Sequence, residues 1–337
     1  MNLLIFNDPF DLSWQANLYD VLMLSIFVTV VVHAIVQWRR GTRTWMFLLI
    51  ASFVYGQVIE LGGMATLNMY QQGDFAVMLN YPAIPLFEGT TAMPFYVTIF
   101  YPVIFAIGFK VVDALGIASR IKAAITGGLF MVLLDAPYSI EGGLRHVVWW
   151  TYDPDFKLFE FWLGWPLLEL TWQAIWGAAF YYFMLRHIPR VDGPVEERVG
   201  NGRLLAVQAP LAALSAIAVG LVAMSPITIT SLLGIPQWIV VSLLMIGYVA
   251  VVVPAMRGAT PPRGSVDPWL MGWAVWFAVA FGAMVIGNLV YENGMTLYLT
   301  VQTLGIVGVL ALATFPLWAP GRATADARRE TAAASRS

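Results

Sequence analysis

Residues Thr44–Met64 read TWMFLLIASFVYGQVIELGGM. The stretch is long enough to cross about 30 Å of hydrocarbon as a helix. It carries one ionisable side chain, Glu60, near its far end. Eight further segments of this kind lie around it: 18–38, 93–112, 121–140 and 161–185, then 204–224, 238–256, 268–290 and 295–317. Of the 337 residues, 59% are hydrophobic and 11% charged, under half of the roughly 25% charged share of soluble domains. Length alone suggests about two soluble domains. The apolar segments predict instead an all-α, polytopic membrane bundle of about nine helices. Residues 1–320 read as one transmembrane domain, with a five-helix part at 18–185 and a four-helix part at 204–317. Residues 321–337, rich in Ala, Arg, Thr and Ser, predict a disordered cytoplasmic tail.

Basic residues set the orientation. With the N-terminus outside, the inner side receives Arg39, Arg40, Arg43, Lys110, Arg120 and Lys122. It also receives Arg186, Arg190, Arg198, Arg203, Arg257 and Arg263, and the tail with Arg322, Arg328, Arg329 and Arg336. Of 18 Lys and Arg, only Arg145 and Lys157 then lie outside. Asp8, Asp11 and Asp20 precede or open the first apolar run with no basic residue, which predicts a translocated end rather than a cleavable signal peptide. The expected location is a bacterial plasma membrane. A net charge of −2 gives no reason to expect nucleic acid. The expected partners are the lipid bilayer and an apolar small molecule, with the oligomeric state unspecified. With no cysteine, disulfides, thiolate metal sites and cysteine nucleophiles are excluded.

Charges inside a bilayer are costly and mark function. The last four spans contain no Asp, Glu, Lys, Arg or His, whereas the first five contain His33, Glu60, Asp135 and Glu169, with Glu141 just beyond the fourth. At 1.5 Å per residue, Glu60, Asp135 and Glu169 fall in one layer near the outer leaflet. Three carboxyls at one depth on three helices predict a shared pocket equipped for proton transfer. The structural alternative is that each acid pairs with a Trp, Tyr or backbone group and holds helices together. His33, near the inner end of the first span, reads as structural. Arg145 and His146, near Glu141, read as a surface ion pair or as a gate over the pocket. Trp162, Trp165, Glu169, Trp172 and Trp176 are spaced 3, 4, 3 and 4, which on a helix makes one stripe. Indole faces attract cations, so this stripe suits an acid that protonates an alkene beside aromatics; a packing seam is the other reading.

Other chemistries lack their residues. A retinal protein needs a mid-membrane lysine, and Lys110, Lys122 and Lys157 lie at helix ends or in a loop. A prenyltransferase needs acidic clusters for magnesium; Asp153 and Asp155 form a pair but lie outside. Three scattered His and no Cys leave no zinc site. No phosphate loop, nucleophile elbow or dinucleotide fingerprint stands in a suitable context, so no metal or cofactor is expected. A proton-coupled transporter or lipid carrier stays open, against the absence of an internal repeat.

The run 57–183 resembles the integral-membrane carotenoid hydratases, the bisanhydrobacterioruberin hydratase group among them. The resemblance is carried by Glu60-Leu61-Gly62-Gly63 followed by a Tyr-containing loop and Pro82 to Pro85. Asp135 late in a helix, the outer-loop pair Trp149-Trp150, and Gly164-Trp165-Pro166-Leu167 with Trp172 beyond complete it. That family has a second Asp followed by Pro, where this chain has Ala136-Pro137-Tyr138, and an Asn where this chain has Glu169. Polyketide spirocyclase-type membrane proteins are a second acid/base group of similar size. The resemblance implies hydration of a double bond in an isoprenoid or carotenoid-like substrate. Asp135 or Glu169 then protonates the alkene, and the other, with Glu60, orients water and takes up its proton. Trp165, Trp172, Tyr138, Glu141, Arg145 and Trp149 are the expected substrate-binding residues.

Overall fold

The computed structural model describes residues 2–143, 149–162, 165–261, 266–292 and 294–318. Among them lie nine helices of 18 or more residues. These are α1 (Trp14–Arg39), α2 (Thr44–Leu61), α3 (Phe95–Leu115), α4 (Arg120–Gly142), α5 (Leu167–Asp192), α6 (Ala209–Leu232), α7 (Gln237–Arg257), α8 (Pro268–Tyr291) and α9 (Thr296–Ala313). The chain is an all-α bundle, and eight of these helices are long and apolar enough to cross a membrane. The expected tail at 321–337 lies outside the described residues, as do Arg145 and His146.

The helix left out of the eight is α5, where Glu169, Gln173 and several Trp and Tyr lower the hydropathy. It still runs the length of the bundle, 26 residues or about 39 Å. Just before its start, the Gln237 N–H at the head of α7 donates to Glu160 Oε2 at 2.5 Å. At its end, Asp192 accepts from the backbone N–H groups of Arg43 (2.7 Å) and Thr44 (3.0 Å) and so caps α2. Arg43 in turn donates Nε to the Val191 carbonyl at 2.8 Å and Nη1 to the Val199 carbonyl at 2.6 Å.

Helix α3 is apolar on every side and is buried almost throughout, as that pattern requires. Helices α1, α2, α4, α8 and α9 surround it, while α4 also packs on α5, α7 and α9. The closest approach is between α4 and α5, where a Cβ at Gly128 would stand 2.2 Å from the Ala174 carbonyl oxygen. Only a glycine admits that contact. At the same end as the Asp192 cap of α2, Lys110 on α3 pairs with Asp267, which opens α8, at 2.5 Å. The Lys110 ammonium also sits 4.6 Å from the centre of the Trp45 ring. His33 is buried beside it against Trp45, Trp269 and Trp273.

The loops that follow α2 and α4 are more ordered than coil. Strand β1 (Leu4–Phe6) pairs antiparallel with β3 (Val77–Leu79), which pairs with β4 (Met93–Pro94). Strand β2 (Tyr70–Gln72) pairs with β5 (Trp150–Tyr152), matching Tyr70 with Tyr152 and Gln72 with Trp150. This ladder joins the loop after α2 and the loop after α4 into one cap. Strands β6 (Phe161–Trp162) and β7 (Trp165–Pro166) form a hairpin where the sequence predicts the start of the fifth span. The reason is Pro166: its ring disfavours the helical conformation at Trp165, so α5 begins only at Leu167. The expected Trp162–Trp176 stripe is therefore cut in two.

Candidate active site

Three elements bring the acids together. Glu60 stands in the last turn of α2, Asp135 in the second half of α4, and Glu169 in the first turn of α5. All three line one cavity of about 380 Å³ beneath the β2–β5 ladder. Its walls are otherwise largely apolar and aromatic, which makes each carboxyl a costly and localised feature.

Each acid has its own donors. Glu60 accepts from the Tyr70 hydroxyl on Oε2 at 2.5 Å and from the Tyr101 hydroxyl on Oε1 at 2.6 Å. Asp135 Oδ2 accepts from Ser139 Oγ at 2.6 Å, one helical turn on. Glu169 Oε2 accepts from Trp165 Nε1 at 2.8 Å. Glu60 thus has both oxygens engaged by phenols, while Gln173 also stands beside Asp135 and Tyr152 beside Glu169. Asp135 lies within electrostatic reach of both other acids, and Ser139 also stands near Glu169. In the cap, burial and then the neighbouring Glu60 carboxyl hold the Tyr70 phenol well above its ordinary range. Burial and then Glu169 do the same to Tyr152. Both phenols are therefore protonated donors at neutral pH.

The expected binding residues divide. Tyr138 and Trp172 line the cavity, and Trp172 stacks on Trp176, another lining residue, at 5.6 Å and 13°. Trp165 does not line it; it holds Glu169 from behind and packs with Ala136, Ile140 and Tyr298. Trp149 backs the wall, 4.3 Å from the ring of Tyr19. Glu141 lies in the last turn of α4 and is turned away, contrary to a place over the pocket. Its Oε2 accepts from Asn288 Nδ2 of α8 at 3.0 Å and from Gln302 Nε2 of α9 at 2.9 Å. These partners are uncharged amides, which charge alone does not reveal in the last spans.

Several lining residues carry no signal in a search for charge. Tyr19, Tyr96 and Tyr101 sit inside apolar helices, where a phenol reads as one more aromatic. Ser139 and Gln173 had a signal, each four residues after an acid on its helix. Helix α6 also contributes Ile217 and Leu221, so the four-helix part shares in the site. Gly220 on α6 admits the Trp176 ring, since a Cβ there would fall 1.4 Å from Cδ1. No group of three or more His, Cys, Asp or Glu suited to a metal occurs among the described residues. Against protein-family models, curated proteins and solved structures, the chain finds no match.

Proposed function

We propose that the protein is a membrane enzyme that adds water to a double bond of an apolar isoprenoid or carotenoid-like substrate by acid/base chemistry. The observation that carries this reading is the convergence of Glu60, Asp135 and Glu169, from three helices, on one largely apolar cavity. In this reading all nine long helices span the bilayer of a bacterial plasma membrane, with the N-terminus outside and the basic inner loops in the cytoplasm. The contacts of α5 at both ends of the bundle support its place as the fifth span.

Asp135 and Glu169 are the reacting pair, because they face each other within electrostatic reach across the cavity while Glu60 is held between two phenols. One transfers its proton to an alkene carbon, and the adjacent carbon becomes cationic. A water oxygen bonds to that carbon, and the proton lost by the water passes to the other carboxylate. Return of this proton to the first acid closes the cycle. The stacked Trp172 and Trp176 present aromatic surface to the cation. Glu60 holds Tyr70 and Tyr101 in the wall as donors.

The test is a mass-spectrometric comparison of lipid and pigment extracts from the native host, a deletion strain, and strains complemented with wild type, Asp135→Asn or Glu169→Gln. General acid or base removal should lower turnover by about 10²–10⁴. The expected result is a precursor lighter by one water in the deletion and in both variants. Full activity of an inserted Asp135→Asn protein sinks the reading.

A further inference from the structure

The cavity is roofed by the cap but open at its flank. Val58 near the end of α2, Leu67 beyond it and Leu221 in α6 line the cavity and are 40%, 54% and 58% exposed. The opening therefore lies between α2 and α6, with Trp172 and Trp176 as its back wall. Val58 stands six residues, about 9 Å, before Met64, the end of its span. In a membrane this flank meets acyl chains, not water.

Besides Tyr152 of the cap, which faces Glu169, two hydroxyls on the helices of the wall are unmatched. Tyr96 and Tyr138 are 4% and 1% exposed, and their hydroxyls have no hydrogen-bond partner among the described residues. Their rings both pack on one neighbour, 4.7 Å and 5.2 Å from the ring of Tyr19, and both phenols lie within electrostatic reach of Asp135. A buried donor without an acceptor is costly, and a pair of them in a cavity wall is a place for an oxygen acceptor.

We propose that the cavity takes a long-chain lipid end-on through the α2–α6 opening. Its buried end carries a hydroxyl or carbonyl oxygen that accepts from Tyr96 and Tyr138, and its chain extends into the bilayer. The inference rests on reading this cavity as the active site; for a hydratase, the oxygenated lipid is the alcohol product. Its test does not use turnover, so the two readings fail separately.

The full-length protein in phosphatidylcholine nanodiscs is loaded with geranylgeraniol, or with the matching C20 hydrocarbon lacking the hydroxyl, over a range of equal mole fractions. Thermal stabilisation reports binding. Two modest hydrogen bonds should make the alcohol bind about tenfold more tightly. The Tyr96→Phe/Tyr138→Phe double variant should erase that preference, whereas Asp135→Asn should keep it whether or not the protein turns substrate over. Leu221→Trp changes an exposed position and keeps the test available if the double variant does not fold. It should narrow the opening and weaken alcohol binding several-fold. Equal stabilisation of wild type by alcohol and hydrocarbon overturns the proposal, as does unchanged alcohol binding in Leu221→Trp.

Discussion

Replacing Asn288 with Ala tests the polar lock between α4, α8 and α9 in quantitative terms. Asn288 Nδ2 donates to Glu141 Oε2 at 3.0 Å and to Gln302 Oε1 at 2.8 Å, and all three residues are buried. Interhelical hydrogen bonds in membranes contribute about 0.6 kcal/mol on average and about 1.7 kcal/mol at most. Losing two therefore predicts a stability loss of about 1–3 kcal/mol. Glu141 keeps the bond from Gln302 Nε2 at 2.9 Å, so the loss stays in that range. Asn288→Asp, nearly equal in size, should cost more, because it sets a second carboxyl against Glu141 in place of a donor. The assay is reversible unfolding in mixed micelles by titration with sodium dodecyl sulfate. Since Asn288 and Gln302 share Glu141, the Asn288→Ala and Gln302→Ala effects should be non-additive by at least about 0.5 kcal/mol. Strict additivity, or losses below about 0.5 kcal/mol for each, would refute the lock.

Two further outcomes are expected. Burial alone would raise the Asp267 carboxyl, but the hydrogen bond and charge of Lys110 and the N–H groups of Leu270 and Trp269 hold it below the usual carboxylate range. Its stabilising effect is then complete above the unfolded value near 3.8 and fades as pH falls through the lower folded value. In acid unfolding, wild type should exceed Asp267→Asn in stability at neutral pH, and the gap should close only in strong acid; a gap constant with pH contradicts the pairing. Gly220→Ala places a methyl 1.4 Å from Trp176 Cδ1, so the ring must move. A stability loss of about 1–3 kcal/mol and altered tryptophan emission are expected, and wild-type behaviour in both contradicts the seating of Trp176 on α6.

The depth of the acids was legible because helical rise converts sequence position directly to distance. Glu60, Asp135 and Glu169 accordingly meet at one cavity. Their donors were less legible for different reasons. Ser139 follows Asp135 by one turn, but Tyr101 reaches Glu60 from another helix, and no local spacing encodes that pairing. The β2–β5 ladder joins segments of only three residues, too short for an alternating pattern to stand out. The stripe on the fifth span gave way to one local rule, the restriction that Pro166 places on Trp165. Glu141 was misplaced for a compositional reason. Its partners are amides, which polarise a span without charging it.

The spacing of these partners along the chain also orders the protein's assembly. Glu60 meets its two phenols 10 and 41 residues later, and Asp135 and Glu169 find donors within four residues. As synthesis proceeds, the acids of the cavity are provided for by the time the fifth helix is made. Glu141 waits for Asn288 and Gln302, 147 and 161 residues downstream. A chain interrupted before α8 therefore carries a nearly complete site on a bundle that has not been locked, since the two amides that tie α4 to α8 and α9 are not yet made. The lock that separates a finished chain from an unfinished one is closed by the last two long helices to be synthesised.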